Sequence, residues 1–64
     1  MEPERAFAGK TRVIKIKGYG KGRRGIVKEV DLVAGRWLVQ YSDTLLVENV
    51  NPYEFDYDKE GDKK

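Results

Sequence analysis

The stretch Arg12-Val-Ile-Lys-Ile-Lys-Gly-Tyr-Gly-Lys-Gly-Arg-Arg-Gly-Ile-Val-Lys-Glu-Val-Asp31 contains two β-strand patterns joined by glycines. Apolar and basic residues alternate over residues 12–17, and β-branched residues recur over residues 25–31. The glycines in residues 18–24 tolerate the positive φ angles of a chain reversal. The stretch therefore predicts a β-hairpin with a long, glycine-rich loop.

Further β patterns follow toward the carboxyl end of the chain. Residues 36–41 and residues 44–50 are rich in β-branched, aromatic and aliphatic side chains. A proline preceded by asparagine favours one 3₁₀ turn over residues 51–55, ahead of a closing strand at residues 55–57. No segment carries an apolar repeat of 3.6 residues over ten positions, so the sequence predicts no α-helix. The β patterns together predict five antiparallel strands.

Period-two alternation assigns the faces of these strands. The side chains predicted to share a face are, strand by strand, Ile14 with Ile16, Ile26 with Val30, and Trp37 with Val39 and Tyr41. The residues predicted to be structural, together with the aromatic residues, are Val13, Ile14, Ile16, Ile26, Val27, Val30, Leu38, Val39, Leu46, Val47 and Val50.

Short strands in so short a chain bury a core only if the sheet curls, because a flat sheet would leave one face and two edges in water. We therefore expect an all-β fold, a small SH3-like barrel of about five antiparallel strands over residues 10–58. The polar residues 1–9 and 59–64 are expected to be a flexible amino-terminal segment and a flexible charged tail.

The composition excludes several kinds of chemistry. The chain of 64 residues contains no cysteine and no histidine, so it has no disulfide, no thiolate metal site and no imidazole base. This favours a non-enzymatic binding module without a metal or cofactor. A cysteine-free domain of this size is typical of a reducing compartment, which predicts a cytoplasmic protein. The longest apolar runs, such as residues 32–34, are too short for a membrane span or a signal peptide.

Charge is distributed unevenly along the chain. Residues 1–36 contain ten basic and four acidic side chains (+6), and residues 37–64 contain three and seven (−4), which together give the net charge of +2. No acidic residue interrupts the basic residues from Lys10 to Lys28. Such a block favours a polyanionic partner, with phosphates bound by cations and a base stacked on an aromatic ring. The predicted nucleic-acid-binding residues are Lys15, Lys17, Tyr19, Lys21, Arg23, Arg24 and Lys28.

The segment Gly18-Tyr-Gly-Lys-Gly-Arg-Arg-Gly-Ile-Val-Lys-Glu-Val30 resembles the KOW motif of certain ribosomal proteins and transcription elongation factors, roughly Gly-x-x-Lys-Gly-x-x-Gly-x-Val. The residues that match are Gly18, Lys21, Gly22, Gly25 and Val27. The resemblance implies the first hairpin of an SH3-like barrel, which in that family meets RNA or another protein.

The segment Gly35-Arg-Trp-Leu-Val-Gln-Tyr-Ser-Asp43 is similar to Tudor and chromo-barrel domains, whose aromatic cages hold methylated side chains. That resemblance implies a cage built from Tyr19, Trp37, Tyr41 and Tyr53. The alternative is that Trp37 and Tyr41, which share a strand face, belong to the core.

Two other functional hypotheses remain open at this point. The basic loop, or an aromatic face of the barrel, could dock on an acidic protein partner as part of a larger complex. Separately, the acidic residues near the carboxyl end could fold back over the basic loop and shield it from polyanions. Those residues are Asp56, Asp58, Glu60 and Asp62.

Overall fold

The computed structural model describes residues 1–59 and shows a single antiparallel sheet. In chain order, its elements are η1 (Pro3–Arg5), β1 (Arg12–Lys15), β2 (Arg24–Asp31), β3 (Arg36–Tyr41), β4 (Val47–Val50), η2 (Pro52–Glu54) and β5 (Phe55–Tyr57), where η denotes a 3₁₀ turn. The strand order in the sheet is β4-β3-β2-β1-β5. These elements confirm the predicted all-β fold of five antiparallel strands with a 3₁₀ turn before the last strand.

None of the helical turns in the described part of the chain has the length and apolar character that spanning a membrane requires.

Three aromatic rings form the centre of the core. The Phe55 ring centroid lies 6.3 Å from that of Trp37 and 6.5 Å from that of Tyr41, and all three side chains are buried. Phe55 belongs to β5 and the other two rings to β3, which are three positions apart in the strand order. In a flat sheet that separation is about 14 Å. The sheet must therefore curl to bring the rings together, although a closed barrel remains a prediction.

The prediction for β3 is confirmed in its bounds and its faces. Trp37, Val39 and Tyr41 are buried on the inner face, and Leu38 on the outer face is only half-buried. Burial of Trp37 and Tyr41 agrees with the core alternative and removes both rings from any open aromatic cage.

A bulge in β2 reverses part of the predicted face assignment. Val27 pairs with Val39, but the next pair joins Glu29 to Leu38, so Lys28 is an extra residue in the ladder. Because one added residue shifts the alternation of faces, Val27 is fully buried and Val30 also packs against the core. The prediction that Ile26 and Val30 share a face was therefore wrong, and Ile26 is half-exposed on the outer face.

Of the residues predicted to be structural in and next to β1, Val13 is confirmed and Ile16 is not. Val13 is fully buried, whereas Ile14 is half-buried and Ile16 is 42% exposed. The Lys15 side chain turns inward with Val13, and its Nζ lies 5.6 Å from the centroid of the Phe55 ring. A lysine stem can cover apolar surface in this way while its ammonium group stays near water.

The fourth strand is shorter than predicted, because Leu45 has a left-handed backbone with φ of 62° and interrupts the extended chain. β4 therefore begins only at Val47. Leu46 and Val47, predicted to be structural, are 65% and 50% exposed, and only Val50 of this strand is buried. The interpretation of Leu46 and Val47 as core residues was wrong.

The amino-terminal segment packs against the sheet. Pro3 and Ala6 are buried, and Trp37 Nε1 donates a hydrogen bond of 3.0 Å to the Pro3 carbonyl oxygen. A buried indole N–H needs an acceptor, and Pro3 supplies it. Residues 1–9, expected from the sequence to be flexible, thus cover part of the core. Residues 60–64 of the predicted tail lie outside the described residues.

The close approach of β2 and β3 predicts a strong effect of substituting Gly25. A Cβ atom at this position would lie 2.6 Å from the Gln40 carbonyl oxygen and 2.8 Å from Val39 Cγ1. We expect Gly25→Ala to lower the free energy of unfolding by about 1–3 kcal/mol, measured by urea denaturation. Gly35→Asn is the control, because its Cβ meets open space and asparagine tolerates a positive φ. Equal stability of wild type and Gly25→Ala would contradict this account.

The Trp37–Pro3 contact predicts that the amino-terminal segment stabilises the domain. Deleting residues 2–5 leaves a buried N–H without its acceptor, so the free energy of unfolding should fall by about 1–3 kcal/mol. Chemical denaturation followed by Trp37 fluorescence measures the change. Glu2→Ala should have little effect, because it removes only an exposed 3.4 Å ion pair with Arg5. A deletion as stable as the full chain would show that the contact contributes nothing.

Candidate nucleic-acid interface

The loop between β1 and β2 owes its shape to glycine. We call this loop together with the first residue of β2, residues 16–24, the basic loop. Lys15 N donates to Arg23 O and Gly22 N donates to Lys15 O, both at 2.8 Å, and these two bonds close the base of the loop. Arg23 N donates to Gly20 O at 3.1 Å, which forms a β-turn at residues 20–23. Gly18, Gly20 and Gly22 have φ between 84° and 97°, a region that other residues enter at a cost.

Three side chains of the basic loop project into solvent. Tyr19 is fully exposed (100%), and Lys17 and Lys21 are exposed as well. Among residues 1–59, no carboxylate lies within ion-pair distance of the ammonium group of either lysine. These side chains have no packing role, so their positions are available to a ligand.

Arg23 is held by a ring and a carboxylate. Its guanidinium carbon lies 3.8 Å from the centroid of the Tyr41 ring, and its Nη2 donates to Asp43 Oδ1 at 3.1 Å. A longer contact of 3.4 Å reaches Thr44 Oγ1. The hydrogen bond to Asp43 raises the pKa of Arg23, and the same bond lowers the pKa of Asp43. Burial raises the pKa of the Tyr41 phenol.

Arg24 faces the outer surface of the sheet beside the carboxyl end of β5. Its Nε lies 3.4 Å from Asp58 Oδ2, and the Asp58 carboxylate is nearly buried. This contact brings one acidic residue of the shielding hypothesis to the basic loop. Glu60 and Asp62, which that hypothesis also invokes, lie outside the described residues.

Lys15 lies at the base of the loop and pairs with a carboxylate. Its Nζ is 3.1 Å from Glu54 Oε1, and its side chain is only 13% exposed. Glu54 comes from η2, and its carbonyl oxygen accepts a 2.8 Å hydrogen bond from Ile16 N. Lys15 thus ties the loop to the rest of the fold.

An open depression lies between the basic loop and the loop that joins β3 to β4. Its volume is about 430 Å³. Its lining residues are Lys21, Gly22, Arg23, Arg24, Ser42 and Asp43. Because β2 and β3 are antiparallel, the start of β2 and the end of β3 meet at the same end of the sheet. The depression combines three cationic groups with one hydroxyl and one carboxylate, which suits an anionic ligand.

The predicted site residues thus occupy different positions. The structure brings Lys21, Arg23 and Arg24 together, with Tyr19 and Lys17 on the same loop. Lys28 lies four residues along β2 from Arg24, a distance of about 13 Å in a strand, and is not part of this cluster.

The sequence interpretation named Asp58 among the shielding residues but missed Asp43 and Glu54 as partners of the basic side chains. Asp43, Glu54 and Asp58 are 20, 39 and 34 positions away from Arg23, Lys15 and Arg24, respectively. Of the two missed residues, Asp43 could have been found, since an antiparallel pair of strands places the turn after β3 next to the start of β2.

Among residues 1–59, no group of three or more acidic, histidine or cysteine side chains is arranged to hold a metal ion. In comparisons with known proteins, the chain matches no protein family, no curated protein and no solved structure. The KOW and Tudor resemblances therefore stay interpretations of the sequence.

The Arg23–Asp43 pair predicts that loss of Arg23 raises the pKa of Asp43. Because Asp43 has a lowered pKa in the folded protein, the pair stabilises the fold at neutral pH, and this contribution is lost as acidification protonates Asp43. Arg23→Gln should return the pKa of Asp43 toward its ordinary value, measured from the carboxyl carbon signal by NMR. Arg36→Gln, at the other end of β3, should leave the Asp43 titration unchanged. An unchanged Asp43 pKa in Arg23→Gln would contradict the assigned cause.

Proposed function

We propose that this protein is a non-enzymatic nucleic-acid-binding module that uses the basic loop as its binding surface. One observation carries the proposal: Lys21, Arg23 and Arg24 line one open depression, and the same loop carries the fully exposed ring of Tyr19. Phosphate groups bind arginine and lysine side chains, and exposed aromatic rings stack on bases.

The two kinds of contact together favour a single strand, of RNA or DNA. Bases in a duplex are stacked on one another and do not reach a side chain at the tip of a loop, whereas unpaired bases do. Tyr19 lies between two glycines with positive φ, so the loop presents the ring without covering it. Stacking of one base contributes about 1–3 kcal/mol, which adds to the phosphate contacts.

The sequence supplies the remaining support for this proposal. The resemblance to the KOW motif points to the same loop and the same class of ligand. The absence of cysteine in a domain of this size favours a reducing compartment, so a cytoplasmic location belongs to the proposal.

The test is a fluorescence-anisotropy titration of labelled single-stranded RNA and DNA at about 50 and about 200 mM salt. Binding through phosphates should weaken with salt, with the logarithm of the association constant falling by about 0.7 per phosphate contacted for each tenfold increase in salt. Lys21→Ala should make this slope shallower by about 0.7, which is the contribution of one phosphate contact. Lys10→Ala, an exposed cation next to the opposite end of β1, is the matched control and should leave the slope unchanged.

Tyr19 tests the stacking part of the same proposal. Tyr19→Ala should weaken binding by about 1–3 kcal/mol and leave the stability of the fold unchanged, whereas Tyr19→Phe should keep most of the affinity. Undetectable binding, or binding that does not depend on salt, would exclude the proposed function.

A second candidate function is docking on a protein partner, and the edge of the sheet favours it. Leu45, Leu46 and Val47 are all at least half-exposed where β4, an edge strand, begins. An exposed strand edge with apolar side chains can pair with an extended peptide. Failure to bind nucleic acid, combined with NMR shifts along β4 on adding an extended acidic peptide, would favour this function over the first.

A further inference from the structure

Arg23 and Asp43 form an ion pair inside the depression, so a ligand that enters the depression meets this pair. We propose that this depression is a phosphate subsite in which Asp43 takes the place of a phosphate on Arg23, and that a polyanion displaces the carboxylate when it binds. This inference rests on the proposed function, because it assigns one phosphate of the nucleic acid to a defined pair of residues.

The guanidinium group keeps its place without the carboxylate. Arg23 stacks on the Tyr41 ring at 3.8 Å, and Tyr41 is a buried core residue whose ring packs against that of Phe55. Stacking on an aromatic face leaves the edge of the guanidinium group, which carries its N–H donors, free to turn to an acceptor. A ligand that replaces Asp43 therefore meets a donor already in position.

Backbone hydrogen bonds fix the loop that carries Asp43. Leu45 N donates to Tyr41 O at 2.8 Å and Tyr41 N donates to Leu46 O at 2.9 Å, which closes the loop around Asp43. Leu45 completes the loop with a positive φ that side-chain-bearing residues rarely adopt. The loop thus places an acidic group at the mouth of a cationic depression.

The pair is exposed enough to be exchanged. The side chains of Asp43 and Arg23 are 60% and 31% exposed, and ion pairs in contact with water are weak and screened by salt. A carboxylate and a phosphate offer the arginine fork the same kind of oxygen acceptors. The phosphate additionally meets Lys21 and the Ser42 hydroxyl, which line the same depression.

The exchange has a consequence for selectivity. When a small anion displaces Asp43, the contacts between the anion and Arg23 replace Arg23–Asp43 contacts of similar strength, so the net gain in free energy is small. A polymer of phosphates adds contacts along the basic loop and releases counterions, so its gain exceeds the loss of the Asp43 contact. Asp43 thereby discriminates against small anions and in favour of polyanions.

The test compares Asp43→Asn with Glu29→Gln, an exposed substitution of equal charge change in the bulged part of β2. Asp43→Asn should bind a single-stranded oligonucleotide roughly twofold to fivefold more tightly at low salt. This is the change in affinity that corresponds to the free energy of one exposed ion pair, which the ligand no longer has to break. Glu29→Gln should bind as wild type does. Trp37 fluorescence confirms that both variants are folded.

A second readout separates this inference from the proposed function. The NMR signal of the Arg23 Nε–H group is followed on adding the oligonucleotide or inorganic pyrophosphate, and the inference expects it to shift with both, at lower pyrophosphate concentrations in Asp43→Asn. If wild type binds the oligonucleotide while Asp43→Asn binds no more tightly, the inference is overturned and the proposed function stands. If only pyrophosphate shifts the signal, or if neither probe does, the inference is overturned, because no polyanion displaces Asp43 from Arg23. The anisotropy titration then decides the proposed function independently.

Discussion

The contact of Phe55 with Trp37 and Tyr41 is the constraint on which the rest of the structure depends. Ring centroids about 6 Å apart across strands three positions apart require a curled sheet. That curl gives a chain of 64 residues, which contains no cysteine, an enclosed core without disulfides. Gly25 allows the strands to approach closely enough, because any Cβ there would meet the Gln40 backbone.

The same aromatic rings fix the base of the candidate interface. The outer side of the Tyr41 ring carries the Arg23 guanidinium group, and the Phe55 ring lies beneath the Lys15 ammonium group. Each cation also has a carboxylate partner from a distant part of the chain, Asp43 or Glu54. These four contacts join the core to the basic loop, so a rigid base supports a loop whose tip is open to solvent.

The sequence predicted most of the fold because period-two alternation is a local property. It located β3 and its buried face, where no irregularity interrupts the strand. In β2 it failed because the extra residue Lys28 moves the residues after it to the opposite face of the sheet. In β4 it failed because the positive φ of Leu45 delays the start of the strand to Val47. Neither a bulge nor a left-handed leucine has a sequence signature like that of glycine, so local patterns do not reveal them.

The site was less accessible to sequence reasoning. Basic residues without intervening acids indicate a cationic loop, and Tyr19 and Lys21 do project from it. Arg23 and Arg24, however, meet carboxylates from later strands, and such long-range pairs depend on the fold. The cationic character of the loop is therefore partly balanced within the domain, and the exposed side chains of Tyr19 and Lys21 dominate what a ligand first meets.

The most direct test of the central claim is an amide NMR titration of the isotopically labelled protein with a short single-stranded oligonucleotide. The account predicts salt-sensitive shifts concentrated in residues 17–24 and residues 42–44, with the turn at residues 32–35 unaffected. Shifts confined to the turn at residues 32–35 or to the surface around Lys10 and Lys28 would place the interface elsewhere and contradict the account.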